Sequence, residues 1–265
     1  KIHVKALTKK AKRELGRDAR RHQSQQLRAK KREEVIASKR NLGGASAPPV
    51  LITVIPLQED LDVQSILNLL TTADETAEVA NSPQGLTHLA LPRFKQRFAF
   101  VVPPIGNLFA TLDAAKVSTT ILFLTSAACP ESGEQIHQLV DSWGEEILNA
   151  TMAQGLPTTI VAVTNLEKIA VKKRQEVKQN AQETISKWLT EEKIVALDKA
   201  GDALNLLRKA GSQKQRNVIY RNRRPHLIAE KVKFTGNENE NTGTLEVSGY
   251  IRGKPLSVNS LVHIP

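Results

Sequence analysis

The sequence predicts a doubly wound α/β domain over about residues 47–210, with a long basic helix before it and an all-β segment after it. Short apolar runs alternate with amphipathic helical patterns through the middle of the chain, and two of these runs lie close enough to form a hairpin. The first 42 residues lack proline and are rich in good helix formers. From Pro225 onward, glycines separate short alternating runs, which favours β-structure.

The positive charge of the chain is concentrated in two segments. The 265 residues carry a net charge of +11, and residues 1–42 alone also carry +11. The segment from Arg208 to Arg224 adds seven Lys or Arg and no acid. The rest of the chain is therefore net acidic, at −7. Charge segregated in this way is typical of a protein that binds nucleic acid.

Composition argues against several other classes of function. Cys129 is the only cysteine, which rules out an internal disulfide and favours a reducing compartment; a small buried side chain is its expected role rather than a nucleophile. The histidines show no metal-ligand spacing, and no apolar run approaches the roughly 20 residues that cross a bilayer. We therefore expect no metal, no cofactor, no membrane partner and no small-molecule substrate. The chain starts with Lys and stops within LVHIP, which reads as a strand, so we expect the natural protein to continue.

The basic arm, residues 1–46 with its linker, is predicted to be helical from Lys5 to Arg40, about 36 residues or roughly 54 Å. Its apolar seam from Leu7 to Ala19 is too thin to anchor a helix in a core. Bases on most faces suit insertion between phosphate backbones, where released counterions supply affinity. A nuclear localisation signal or a disordered basic tail is the alternative. The arm's candidates for RNA contact are Lys9, Lys10, Lys12, Arg13, Arg17, Arg20, Arg21, Arg28, Lys30, Lys31 and Arg32.

The first strand of the core leads into a loop with an unusual composition. The apolar run from Val50 to Ile55 predicts a buried strand, and a helical pattern begins near Asp62. GTPases place G-x-x-x-x-G-K-[ST] between such a strand and helix, so that backbone amides and a Lys neutralise the phosphates. Here Pro56 to Val63 reads PLQEDLDV, with three acids and no Gly, Lys, Ser or Thr. This stretch indicates a GTPase-shaped scaffold without its nucleotide site, or else an ordinary strand and helix.

Two further nucleotide motifs fall in register and are also altered. Strands are expected at Leu86–Leu91 and Arg97–Val102, a hairpin with basic residues at its tip, after a polar loop over residues 71–85. PPIGN then stands where D-x-x-G holds magnesium, with Pro103 in place of the Asp. Farther along, NLEK stands for N-K-x-D, with Lys168 in place of the Asp that reads guanine. Three altered motifs in register favour an inactive GTPase relative over an active enzyme or an unrelated fold.

The other elements complete the alternation of strands and helices. Asn107 is expected to cap a helix over Leu108–Val117, and Trp143 to be a core residue. The remaining predicted strands are ILFLTSA, TTIVAVT and Ile194–Leu197, and the remaining predicted helices are Glu134–Met152, Lys172–Leu189 and Asp202–Ala210.

A second basic segment, the connector over residues 211–224, follows the α/β domain. Arg suits phosphate because its planar guanidinium can donate two parallel hydrogen bonds. Tyr220 offers a ring on which a base could stack. The connector's candidates for RNA contact are Lys214, Arg216, Tyr220, Arg221, Arg223 and Arg224.

Several stretches resemble one known family. They are KRNLGG, AKVSTTILFL, AQGLPT, RNRRPHLIAE and GTLEVSGYIRGKPLSVNSLVHI, and with the basic arm and the PL loop they span nearly the whole chain. These stretches resemble the eukaryotic pre-40S ribosome-biogenesis factors of the 20S pre-rRNA accumulation type, in the Bms/Tsr family. The resemblance implies a translational-GTPase-like fold in which residues 225–265 begin a second, β-barrel domain.

The same resemblance implies a function. It suggests a non-enzymatic factor for pre-40S maturation and 20S pre-rRNA processing, which binds rRNA through its basic arm and blocks premature subunit joining. The implied partners are the pre-40S particle, 18S/20S pre-rRNA, small-subunit ribosomal proteins and other assembly factors. The implied location is the nucleolus and nucleus, continuing with the particle to the cytoplasm. An active ribosome-biogenesis GTPase with degenerate motifs is the alternative.

Overall fold

The computed structural model describes residues 17–41, 47–129, 138–236 and 242–264, and the chain divides into two units at Asn41. In the first unit, helix α1 runs from Arg17 to Asn41, 25 residues or roughly 37 Å. The predicted helical segment before Arg17 lies outside the described residues. From residue 19 to 34 every side chain is exposed except the half-buried Gln23. This exposure fits a sequence with too few apolar residues to form a buried face.

The second unit contains a seven-stranded sheet with the order β2-β3-β4-β1-β5-β6-β7. The five strands from β4 to β7 in this order are parallel, whereas β2 and β3 form an antiparallel edge. The strands are β1 Val50–Pro56, β2 Glu78–Asn81, β3 Thr87–Leu91, β4 Gln96–Val101, β5 Thr120–Ser126, β6 Thr158–Thr164 and β7 Ile194–Ala196.

Helices cover both faces of this sheet, which confirms the predicted doubly wound α/β class. Helices α2 and α6 pack on one face; α4 and α5 pack on the other with part of α3. All residues of β1, β5 and β6 are buried, as expected for central parallel strands covered on both sides. The helices are α2 Val63–Thr71, α3 Leu108–Val117, α4 Ser142–Gln154, α5 Val171–Ser186, α6 Ala200–Ser212 and α7 Ile219–Asn222.

Two predicted helix starts are confirmed by their caps. The Asp62 carboxylate accepts from the Ser65 amide at 3.1 Å, and Asn107 Oδ1 accepts from the Ala110 amide at 3.0 Å. These side chains satisfy backbone donors that have no partner inside the helix. Trp143 is buried in the core, as predicted.

Two predictions within the α/β domain were wrong. The predicted helix over Glu134–Met152 is not helical at residues 138–141: α4 begins at Ser142, Asp141 caps it, and the Leu139 carbonyl accepts a hydrogen bond from Thr125 Oγ1. Residues 134–137 of that prediction lie outside the described residues. Strand β2 lies within the stretch predicted to be a loop. All four residues of β2 are exposed at the sheet edge, so they show no apolar alternation that could have indicated a strand.

The C-terminal segment is partly β-structure. Strands β8 Lys231–Gly236 and β9 Gly243–Ser248 form an antiparallel pair, and His226 forms an isolated bridge with Arg252. Residues 261–264, predicted as a strand, have no regular secondary structure. In the described part of the chain, no helix has the length and apolarity to cross a bilayer, and no three acidic, His or Cys side chains form a metal cluster.

Candidate functional site

The carboxyl ends of the parallel strands form the edge where an α/β fold binds nucleotides, and here the chain's own side chains fill it. Gln58 follows β1 and is buried. Its Nε2 donates to the Gln138 carbonyl at 2.9 Å and to the Ser126 carbonyl at 3.3 Å. Its Oε1 accepts from the Ser126 amide at 2.6 Å. The Gln58 side chain is thus fully bonded between the loop after β1 and the end of β5.

The backbone amides of this loop also have partners within the chain. The Leu57 amide donates to the Leu124 carbonyl at 2.8 Å, and the Glu59 amide donates to Asp141 Oδ2 at 2.7 Å. A phosphate-binding loop needs such amides free to face its ligand. Here a carboxylate from the start of α4 takes the Glu59 amide, so a negative charge already lies against the loop.

Asp141 joins two elements at once. Its Oδ1 accepts from the Gly144 amide at 2.8 Å and so caps α4, while its own amide donates to the Leu57 carbonyl at 3.1 Å. A Cβ at Gly144 would lie 2.3 Å from the Leu57 carbonyl oxygen, closer than any side chain allows. Glycine at this position lets α4 approach the loop after β1.

The loop after β4, where the sequence analysis places a D-x-x-G-like motif, turns at Gly106. Gly106 has a φ of +82°, which favours glycine, and no atom lies within 4 Å of the position of its missing Cβ. The backbone turn therefore explains this glycine without a ligand. Ile105 and Phe109 beside it are exposed.

The loop after β6 is tied to neighbouring strands. Asn165 adopts a φ of +60°, and its Nδ2 donates to Ser126 Oγ at 2.8 Å. Burial raises the pKa of Asp198 after β7, and the nearby backbone amides of Asn165 and Leu166 oppose that rise. Lys168, in the position of the guanine-reading Asp, is exposed.

A salt bridge closes the same loop. Lys199 Nζ lies 2.5 Å from Glu167 Oε1, and the hydrogen bond that Lys199 donates to Glu167 raises the pKa of Lys199. The polar groups around NLEK are thus arranged to bond to one another. Sequence analysis missed the roles of Gln58, Asp141 and Asp198, because each interacts with residues distant in the chain. The one available signal was at Asp141, an Asp directly before a helix.

The RNA-contact candidates of the basic arm are exposed wherever their side chains are described. One of them, Lys30, forms a salt bridge with Glu34 at 3.9 Å. Arg17 begins α1, but its side chain lies outside the described set, as do Lys9, Lys10, Lys12 and Arg13 as whole residues. The exposed candidates are Arg20, Arg21, Arg28, Lys30, Lys31 and Arg32.

The connector crosses the amino edge of the parallel sheet, opposite the loops that follow β1, β4 and β6. Gln213 Nε2 lies 3.4 Å from Thr120 Oγ1 at the start of β5. At the start of β6, Thr158 Oγ1 accepts from the Arg216 amide at 2.7 Å and donates to Gln215 Oε1 at 3.0 Å. The backbone of the connector is therefore anchored, and its basic side chains project from a fixed path.

The candidates within the connector differ in exposure. Arg221 is half-buried and donates to the Ser118 carbonyl, which gives it a structural contact, and the Tyr220 side chain lies outside the described set. The exposed candidates are Lys214, Arg216, Arg223 and Arg224.

Comparison with known proteins gives consistent matches along the whole chain. Residues 50–211 match the family model "Tsr1, G-like domain", and residues 214–265 match the AARP2CN (NUC121) domain. The chain is 45% identical over 269 residues to "Pre-rRNA-processing protein TSR1 homolog" of Drosophila melanogaster, and 38% identical over 268 residues to the Homo sapiens protein of the same name. These alignments cover 100% of the chain but 32% of each relative.

More distant matches extend the comparison. "Ribosome biogenesis protein tsr1" of Schizosaccharomyces pombe is 31% identical over 250 residues, covering 92% of the chain and 30% of that protein. Among solved structures, translation elongation factor SelB from Methanococcus maripaludis, in complex with a GTP analogue, superposes with a TM-score of 0.50 at 14% identity. The match covers 77% of this chain and 41% of SelB, and it supports the GTPase-like fold alone.

Proposed function

The chain belongs to the Tsr1 family, and on that premise we propose that it is a non-enzymatic assembly factor for the small ribosomal subunit. Relatives that align along its full length are named as pre-rRNA-processing proteins, and this observation carries the proposal. The chain spans about a third of the length of these relatives. The proposed process is pre-40S maturation with 20S pre-rRNA processing. The proposed partners are the pre-40S particle, its rRNA, small-subunit ribosomal proteins and other assembly factors.

The absence of nucleotide chemistry is part of this proposal. The loop after β1 lacks a Lys, and the Glu59 amide is bonded to the Asp141 carboxylate. A bound triphosphate would have to break the Gln58 and Asp141 hydrogen bonds and then face an unneutralised carboxylate. These contacts support a GTPase-like domain that acts through its shape and does not switch between nucleotide-bound states.

RNA binding by the two basic segments is the second part. The arm presents Lys and Arg side chains on a solvated helix. The connector presents its Lys and Arg side chains from a backbone that is bonded to one edge of the sheet. Counterion release from the RNA would supply most of the affinity, so binding should weaken steeply as salt rises. The basic arm is proposed to contact the small-subunit rRNA.

Steric blocking of subunit joining is the third part. A factor with the fold of a translational GTPase and no hydrolysis could occupy the surface that a joining GTPase uses later. The proposed location, nucleolus and nucleus and then cytoplasm with the particle, follows from that role. A joining assay with purified small and large subunits tests it: stoichiometric full-length protein should reduce the joined fraction, and an unchanged fraction would remove this part of the proposal.

Crosslinking and sequencing of bound RNA in cells tests the RNA-binding part. The full-length protein would be compared with a version that lacks residues 1–42 and carries a foreign nuclear localisation signal. We expect crosslinks concentrated on small-subunit rRNA that fall when the arm is removed. Diffuse crosslinks, or crosslinks that do not depend on the arm, would mean that the arm serves import or solubility.

A further inference from the structure

A short turn and the end of a helix meet at the amino edge of the sheet, next to the connector. The turn joins β3 to β4, and the helix is α6. Gln96 Nε2 donates to the Gly211 carbonyl at 2.7 Å. A Cβ at Gly211 would lie 2.0 Å from Gln96 Oε1, so glycine permits this contact. The turn and the end of α6 are therefore held in one fixed arrangement.

Arg208 and Phe94 make the second contact between these elements. The Arg208 guanidinium lies over the Phe94 ring, 5.1 Å from its centroid. Phe94 is half-buried and packs against the core between the sheet and α6, so it is a fixed platform. A guanidinium stacked on a ring keeps its N–H edges available, and the stacking restricts its rotamers before any ligand arrives.

Two further basic residues flank Phe94. Arg93 and Lys95 are both exposed, and neither lies in a salt bridge among the described residues. Asp74 borders the turn: two hydrogen bonds from Thr76 and the charge of Arg93 lower the pKa of Asp74. Arg93 is thus partly neutralised on one side, whereas Lys95 and Arg208 are exposed and form no salt bridge with any acid in the described part of the chain.

This cluster continues into the connector. Gly211, whose carbonyl accepts from Gln96, is two residues before Gln213. The Gln213 side chain contacts the start of β5, and the Arg216 amide is bonded at the start of β6. Adjacent strands are about 4.8 Å apart, so the path from β4 across β1 and β5 to β6 covers roughly 14 Å. The exposed basic side chains of the turn, of the end of α6 and of the connector as far as Arg216 therefore line one continuous edge of the sheet.

We propose that Arg93, Lys95 and Arg208 form a third RNA-binding surface, which extends the connector's Lys214 and Arg216 and binds the phosphate backbone of RNA. The inference rests on the proposed RNA-binding function but not on the basic arm. RNA fits better than a protein partner, because a protein interface needs an apolar centre. No large apolar side chain among the described residues is strongly exposed from 91 to 97 or from 200 to 217.

The test compares three variants of the full-length protein by filter binding to a labelled RNA hairpin with single-stranded flanks, over a salt series. The first variant is R93Q/K95Q/R208Q. The matched control is K172Q/K173Q/K187Q, which removes the same charge from exposed positions on and just after α5, on the other face of the sheet. The third variant neutralises the described bases of the arm from Arg20 to Arg32. Circular dichroism and thermal unfolding check that each variant is folded.

The first variant should lower the log–log salt slope by about 2 to 3, at roughly 0.7 to 0.9 for each lost phosphate contact, and the control should leave it unchanged. Equal slope changes in both would overturn the inference, as would no change in the first. Unchanged RNA binding with lost binding to polyglutamate would overturn it in favour of an acidic protein partner. If only the arm variant weakens binding, this inference fails and the proposed function stands; if the intact protein binds no RNA, both fail.

Discussion

Asp141 Oδ2 lies 2.7 Å from the backbone amide of Glu59, so a carboxylate from the start of α4 occupies a donor in the loop where GTPases bind phosphate. The other oxygen of Asp141 caps α4 through the Gly144 amide. One side chain therefore serves helix stability and loop closure together. The PLQEDLDV loop is therefore held in one conformation by a hydrogen bond to the start of α4.

Replacing Asp141 with Ala should destabilise the domain more than replacing Asp62 with Ala. Asp62 caps only α2, and an N-cap is worth about 0.5–2 kcal/mol. Asp141 caps α4 and also holds the Glu59 amide, so we expect its loss to exceed the Asp62 loss by about 1 kcal/mol. Urea unfolding of both variants measures the difference, and equal midpoints at equal slope would show that the Glu59 contact contributes no stability.

Gly144→Ala and Gly201→Ala should change stability in opposite directions. Both glycines lie in helices, where Ala is favoured by about 0.5–1 kcal/mol when space allows. A Cβ at Gly201 meets no atom within 4 Å, whereas one at Gly144 would lie 2.3 Å from the Leu57 carbonyl oxygen. We expect a higher melting temperature for Gly201→Ala and a clearly lower one for Gly144→Ala. A stable Gly144→Ala protein would mean that α4 can move away from the loop.

The protein should not be stabilised by GTP. A ligand that binds only the folded state raises the unfolding free energy by about 2.7 kcal/mol at a hundred times its dissociation constant. We expect no shift in melting temperature at about 1 mM GTP with magnesium, because the loop after β1 is closed by internal contacts. A translational GTPase measured in parallel supplies the positive control. A saturable shift with this protein would support the active-GTPase alternative.

Asp198→Asn should stabilise the protein at neutral pH and lose that advantage in acid. Burial raises the folded-state pKa of Asp198 above its unfolded value, so the folded state holds the proton more tightly. Stability from this group therefore falls as pH rises through the window between the two pKa values, and the charged form remains unfavourable above it. Urea midpoints of both proteins from neutral pH down to about pH 4 should converge. A constant difference across that range would show that the carboxyl charge is not the cause.

Phe94→Leu should weaken RNA binding without changing its salt dependence. The substitution keeps the charge of Arg208 and an apolar side chain, but it removes the ring below the guanidinium. An exposed cation–π contact is worth about 0.5–1 kcal/mol, so we expect a roughly two- to five-fold loss of affinity. Filter binding over a salt series measures both quantities. An unchanged affinity would mean that the ring does not position Arg208 for RNA.

Much of the fold was predictable because it depends on local patterns. Continuous apolar runs identified β1, β5 and β6, a helical apolar pattern marked the start of α2, and a capping Asn marked the start of α3. Strand β2 was missed because an exposed edge strand carries no apolar alternation. The start of α4 was not predicted, because Asp141 and the contacts of residues 138–139 with other loops decide it.

The sequence by itself determined most of the order of strands and helices, the segregation of charge, and the composition of the loop after β1, with three acids and no Gly, Lys, Ser or Thr. Those properties are set by residue type and spacing along the chain. Only the tertiary structure decided how the loops close, because Gln58 meets Gln138 and Asp141 meets Glu59 across about 80 residues. It likewise brought Arg208 onto Phe94, more than 100 residues away, since sheet topology rather than sequence distance brings the β3–β4 turn and the end of α6 together.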